Sequence, residues 1–192
     1  MHTSRRRPPD HVVLVDERGT PVGAAPRSAV HGPDAPLHLA FSCYLFRGDG
    51  KVLLARRALA RPTWPGVWTN ALGGHPRAGE PVPAAIARRA RRELGVGVTD
   101  LVCALPHFRY RATDPSGRVE NVLCPVYLAW TTAEPHPHPR EVMEMRWVEP
   151  EELGRAVAAA PWALSPWLVT QVGELAEVDP AGLAAGVTEL AG

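Results

Sequence analysis

Between Leu72 and Val96 the chain reads LGGHPRAGEPVPAAIARRARRELGV. Glu80 follows Gly74 after five intervening residues, Arg88 follows Glu80 after seven, and Glu93 follows Arg88 after four. The stretch from Gly79 to Gly95 predicts a helix. Pro81 and Pro83 fall in its first turn, where a missing N–H is tolerated; Ile86, Ala90 and Leu94 recur on one stripe; Gly95 stops it. Arg89 precedes Glu93 by four residues, so the two share a helix face. A carboxylate placed there can hold a divalent cation, and the cation together with a guanidinium can grip a diphosphate. Glu93 is the only carboxylate in the run ARRARRE. A cluster of several metal ions, of the kind that activates water, has too few ligands. Arg91 and Arg92 read as a solvated face.

Strands surround this loop and helix. HVVLVDERG (11–19) predicts a strand entering a turn, and HLAFSCYLF (38–46) a second strand. RGDGK (47–51) is a hairpin signal, with VLLARRA (52–58) returning. HFRYRA (107–112) and RVENVLCPVYLAW (118–130) predict two strands joined by TDPSG. EMRWVEPEELGRAV (144–157) reads as a strand and a short helix, and SPWLVTQVGELAEV (165–178) as another helix. Residues 21–36 and RPTWPGVWTN (61–70) read as loops. The class is α+β, with a mixed, mostly antiparallel sheet flanked by helices. The 192 residues suit one domain, over 11–180, with a disordered tail at 1–10 and a tail or weak helix at 181–192.

Composition narrows the function classes. A net charge of +1 with 21% charged residues gives no argument for a nucleic-acid surface. Cys43, Cys103 and Cys124 lack metal or redox spacing, which suits free thiols in a reducing cytoplasm. No apolar run reaches the roughly 18 residues of a membrane span. The basic start MHTSRRRPPD has no apolar h-region behind it, so it does not read as a signal peptide.

The Gly74–Glu80–Arg88–Glu93–Gly95 spacing resembles the Nudix box, a loop–helix–loop with Arg89 and Arg92 standing where carboxylates are usual. Further stretches carry a narrower resemblance: LHLAFSCYLF, WPGVWTN, GGHPRAGE, FRYRATDPSG, VEN and PWALSPW are similar to the type 1 isopentenyl diphosphate isomerases, over roughly Val12 to Trp167. That resemblance implies a Nudix fold, in an α/β/α sandwich, and an enzyme that shifts a double bond by protonation and deprotonation while leaving the diphosphate intact. It implies a cage of His31, His38, His75 and Glu120 for Mn2+ or Zn2+, and Mg2+ held by Glu93 on the diphosphate. It puts Arg27, Arg57, Arg61 and Arg89 on the diphosphate, and Tyr110 and Trp167 beside the reacting carbons, with Tyr110, Glu120 and Trp167 as the catalytic group. Trp167 reads equally as a core anchor.

Two positions depart from that pattern. Gly73 stands where the family has its acid/base cysteine. Val122 stands where it has a second metal-ligand glutamate, two residues after Glu120 and therefore on the same side of the strand. By strand parity Cys43 faces away from His38, into the core. Cys124 shares the parity of Glu120 and reads either as a substitute thiol or as a structural one. Three functions stay open: carbocation chemistry on a larger prenyl or terpenoid substrate, by isomerisation or cyclisation; ordinary C5 isomerisation with rerouted proton transfer; and prenyl diphosphate binding without turnover. The expected partner is a small prenyl diphosphate, and the expected state a monomer or homodimer.

Overall fold

The computed structural model describes residues 10–178; the expectations for 1–9 and 181–192 lie outside them. The described residues form twelve strands and three α-helices in two sheets. β1 (His11–Val15), β2 (Pro21–Pro26), β3 (His38–Leu39), β9 (Arg109–Thr113) and β10 (Val119–Leu123) make the first, in the order β2-β1-β3-β10-β9. β4 (Phe41–Phe46), β5 (Val52–Arg57), β8 (Thr99–Leu105), β11 (Val126–Trp130) and β12 (Val142–Val148) make the backbone of the second, ordered β12-β5-β4-β11-β8. β6 (Trp68–Asn70) and β7 (Leu72–Gly74) join the second sheet on β5 and β4.

Two of the single strands expected from sequence are each divided between the sheets. HLAFSCYLF passes from β3 to β4 at Ala40, and RVENVLCPVYLAW passes from β10 to β11 at Cys124 and Pro125. Pro125 has no N–H for a ladder, and the run bends there. The two segments run side by side and pair in parallel in both sheets, Val122 opposite His38 and Val126 opposite Ser42. The crossing itself is bonded: Ala40 N–H donates to Leu123 O at 2.9 Å and Ser42 N–H to Pro125 O at 3.2 Å.

Other expectations need correction. Residues 21–26 are an edge strand paired to β1, not loop; PVGAAP carries no apolar alternation because nearly all of it is exposed and it pairs through its backbone. The expected loop 61–70 ends in β6. β8 had no counterpart in the sequence reading: TDLVCAL is mostly exposed and does not alternate cleanly.

The second sheet is covered on both sides. α1 (Val82–Glu93) packs Ala85, Ile86 and Ala90, all fully buried, onto Phe41, Cys43, Leu45 and Leu72. Gly95 closes the helix at φ +70°. α2 (Pro150–Ala159) and α3 (Pro166–Val178) bury Leu153, Leu168 and Val172 with Tyr44, Phe46 and Val126 on the opposite side. This is the expected helix–sheet–helix layering. Cys43 faces the α1 side, as its parity required.

The β4–β5 hairpin opens after one pair, Phe46 opposite Val52, and β6 and β7 fill the gap. The loop before α1 is braced by Arg88, whose Nε and Nη2 both donate to the Glu80 carboxylate at 2.7 Å, while Glu80 also accepts from Arg77 N–H. The hydrogen bonds from Arg88 hold Glu80 below its ordinary value of 4.5, against burial. A carboxyl lowered on folding stabilises above its unfolded pKa, and that contribution fades as pH falls through the folded value. Glu80→Gln should therefore cost about 1 kcal/mol at pH 7 and flatten the loss of stability below pH 4.5, read by urea denaturation across pH.

Candidate functional site

At the mouth of the splayed hairpin, where the sheets meet, one cavity is lined by Arg27, Arg57, Arg61, Gly73, His75, Tyr110, Glu120 and Trp167, with Ser42, Asn70 and Cys124. These come from both sheets, the loop after β5, and α3. A second, adjoining cavity is lined by Glu93 and Glu141, sharing Arg57, Arg61 and Gly73.

β3, β7 and β10 bring three ligand groups together. Ligand atoms of His38, His75 and Glu120 all lie within 4.8 Å of one another. His38 Nδ1 donates to Pro36 O at 3.0 Å, which leaves Nε2 facing Glu120 Oε2 at 3.9 Å. That Nε2, and both ring nitrogens of His75, are buried without a hydrogen-bond partner. The His38 and His75 rings stack at 5.1 Å. Burial pushes both histidines down, His75 further, and so keeps them neutral. Neutral, partnerless, converging nitrogens beside a carboxylate fit a divalent transition metal. Bound there, such an ion would supply a fixed positive charge at the cavity wall. His31 stands next to this trio but outside it: its Nδ1 is 3.3 Å from Val119 O and 3.6 Å from Glu120 Oε1.

The arginines divide. Arg57 donates from Nε and Nη2 to Thr63 O, Trp64 O and Thr63 Oγ1, and its guanidinium lies 5.6 Å over the Trp167 ring. Burial first, then the charge of Arg61, lowers it to about 10. Arg57 therefore holds the loop and the indole as well as facing the cavity. Arg27 pairs with exposed Asp10 at 3.5 Å. Arg61 pairs with Glu141. Arg89 does not line the cavity. It lies behind Gly74, donates to Gly73 O at 3.3 Å and pairs with Glu93. A Cβ at Gly74 would meet Arg89 Nε at 3.0 Å, so glycine there lets the guanidinium close on β7. Burial raises Glu93 and lowers Arg89, each opposed by the other's charge.

Trp167 sits at the centre of an aromatic group. Tyr110 stacks on it at 5.7 Å and Trp64 meets it edge-on at 5.3 Å. Its Nε1 donates to Asn70 Oδ1 at 3.0 Å. Trp64 adopts φ +42°, a conformation that costs a bulky residue about 1–3 kcal/mol, and is held by Asp114 accepting from its N–H and Arg57 donating to its carbonyl. Trp167 is thus both core anchor and cavity wall.

Of the altered positions, Gly73 opens directly on the cavity, and a Cβ there would meet only Phe41 O, at 3.5 Å. Val122 does not line it. It is fully buried, in the core cluster that also holds Leu153, Leu168 and Val172 of the late helices, so the side chain at this position packs in the core and does not enlarge the cavity.

The sequence reading missed Glu141, which pairs with Arg61 and lies 3.7 Å from Arg92, and the anchors Asn70, Trp64 and Asp114. Glu141 sits in a proline-rich loop, 80 positions from Arg61, and no local pattern marks it.

Residues 36–168 match the NUDIX domain. The chain is 59% identical to the isopentenyl-diphosphate Delta-isomerase of Agromyces mediolanus over 83% of its length and 78% of the relative's. It is 52% identical to that of Paenarthrobacter aurescens over 91% of its length and 95% of the relative's. Among solved structures, a Deinococcus radiodurans protein superposes with a TM-score of 0.66 at 23% identity, covering 86% of this chain and 98% of the other, which supports the fold alone. No helix among the described residues is long and apolar enough to cross a membrane.

Adding Mn2+ or Zn2+ at about 100 times its dissociation constant should stabilise the protein by about 2.7 kcal/mol, read as a rise in Tm. His38→Ala or Glu120→Gln should abolish that rise.

Proposed function

The chain belongs to the type 1 isopentenyl diphosphate isomerases of the NUDIX family, and from that premise we propose that it carries out proton-initiated carbocation chemistry on a prenyl diphosphate longer than C5, ending in isomerisation or cyclisation. The observation that carries this is Gly73. The position opens on the cavity with no side chain, while Arg27, Arg57 and Arg61, His75 and Glu120 of the trio, and Tyr110 and Trp167 of the aromatic group line the same cavity. A pocket that keeps its charged end and widens its alkene end suits a longer hydrocarbon.

In this reading Arg27, Arg57 and Arg61 face the diphosphate, and Arg89 supports the site through Gly73 O and Glu93. Guanidinium forks match phosphate oxygens. Glu93 and Glu141, on the adjoining cavity, would hold Mg2+ beside it. The indole and phenol faces of Trp167 and Tyr110 stabilise a developing tertiary cation by about 1–2 kcal/mol in a dry site. His38, His75 and Glu120, with His31 beside them, would hold the second divalent ion, and Glu120 also faces the substrate. Hydrolysis is disfavoured because the helix supplies one carboxylate and Arg89 neutralises it.

A second reading, ordinary C5 isomerisation, is favoured by the relatives that bear that name at 50–59% identity. Incubation in D2O with Mg2+, Mn2+ and prenyl diphosphates of C5 to C20 separates the two. The proposal expects deuterium in products from C10 or longer substrates and little from C5. Label in dimethylallyl diphosphate alone would favour the second reading, and free phosphate would favour hydrolysis. Gly73→Cys has room for its Cβ and opens on the cavity, so it should by itself raise C5 isomerisation by at least about tenfold, since a restored acid or base is worth roughly 10²–10⁴.

A further inference from the structure

Cys124 is a wall residue with no role in the mechanism above. It lies four residues past Glu120, where β10 gives way to β11, and lines the same cavity as Glu120, Tyr110 and Trp167. It is held from behind by a buried polar chain. Tyr44 OH donates to Gln171 Oε1 at 3.1 Å, Gln171 Nε2 donates to Ser42 Oγ at 3.0 Å, and Ser42 Oγ lies 3.5 Å from Cys124 Sγ. None of the four is more than 2% exposed.

The chain has a direction. Tyr44 gives its proton to the amide, and the amide gives one to Ser42. Ser42 Oγ, already accepting from Gln171, is free to donate its own proton to Cys124 Sγ, although either atom of that pair can be the donor. A sulfur that accepts this bond keeps its own S–H for the open side, which is the cavity. Burying four polar side chains is costly unless each is bonded, and here the bonds run in series to Ser42 and Cys124, the two members that line the cavity, and end on the thiol. Ser42 is also the cross-strand neighbour of Gly73, so the thiol stands one strand away from the position that has no side chain.

We propose that Cys124 is the general acid of this protein, delivering its thiol proton to the prenyl alkene; this rests on the reading of the cavity as a prenyl diphosphate site. The S–H bond breaks, and the alkene π pair takes the proton to form a C–H bond. A carbocation and a thiolate remain. The hydroxyl of Ser42, already oriented by Gln171, bonds the developing thiolate without reorganising. After the cation has rearranged or closed a ring, a carbon beside the cationic centre gives a proton to the thiolate. The pair of that C–H bond becomes the new double bond, the thiol is restored, and no co-reactant is consumed. Burial raises Cys124 to about 12, so the thiol is protonated at neutral pH, and the Ser42 hydrogen bond offsets part of that rise.

The test uses the full chain with Mg2+, Mn2+ and the prenyl diphosphates of the D2O experiment. Cys124→Ala and Cys124→Ser should lower kcat about 10²–10⁴-fold, with KM and Mg2+–pyrophosphate binding within about threefold of wild type. Ser42→Ala, which keeps the thiol and removes its support, should lower kcat by a smaller factor, about tenfold. Equal Tm values for Cys124→Ser and wild type separate loss of chemistry from loss of fold. Wild-type turnover with undiminished Cys124→Ala and Cys124→Ser turnover would overturn the assignment of the acid alone. A wild-type protein that neither binds pyrophosphate nor converts any prenyl diphosphate would overturn the site reading and this assignment together.

Discussion

One buried amide holds the site open. Asn70 is 2% exposed, and its side chain reaches three parts of the molecule. Its Nδ2 donates to Cys43 O on β4 at 3.2 Å and to Leu72 O on β7 at 2.6 Å. Its Oδ1 accepts from Trp167 Nε1 on α3 and from Thr69 Oγ1. The opened β4–β5 hairpin, the short strands that fill it and the helix that carries the aromatic wall therefore share one hydrogen-bonding centre. Each of these groups, left unmatched in the interior, would cost about 1–3 kcal/mol. The cavity exists because the hairpin opens, and the hairpin can open because Asn70 satisfies the backbone it frees.

The charges around that cavity are balanced before any ligand arrives. Arg89 pairs with Glu93 and Arg61 with Glu141, both pairs largely buried. A buried guanidinium without an anion is strongly destabilising, so the carboxylates stand in for the missing charge. In the proposed function, Glu93 and Glu141 would turn to a divalent cation and Arg61 to phosphate oxygens, so the balance would survive the exchange. This also gives physical content to the unusual ARRARRE run. Arg89 is a buried partner of Glu93, while Arg91 and Arg92 are exposed, as their positions on the helix implied.

Legibility in the sequence followed locality. α1 was readable to within a few residues because its prolines, apolar stripe and terminal glycine all act within seventeen positions. The Nudix-like spacing was readable for the same reason. The edge strand β2 and the exposed β8 were not, because their pairing is made by backbone atoms that leave no side-chain pattern. The division of two long strands between two sheets was also hidden, since an apolar run does not state which neighbour it pairs with. In the site, the resemblance to a known family gave His38, His75 and Glu120, which no spacing rule would have joined. It also placed Arg89 on the ligand, where burial behind Gly74 puts it one layer back. Glu141 and Asn70 had no signal at all: their partners lie far away in sequence and their local context is ordinary.

The crossing of the two long segments has a mechanical consequence. His38 and Glu120 ride on one sheet, and Arg57, Gly73 and the residues beside them on the other. The gap between the two groups is therefore set by the angle at which the sheets diverge from the bonded crossing at Ala40, Cys124 and Pro125. A small change in the angle between the sheets widens or narrows the chamber while every lining side chain keeps its identity. The width of the chamber is thus a property of backbone geometry as well as of the side chains that face it.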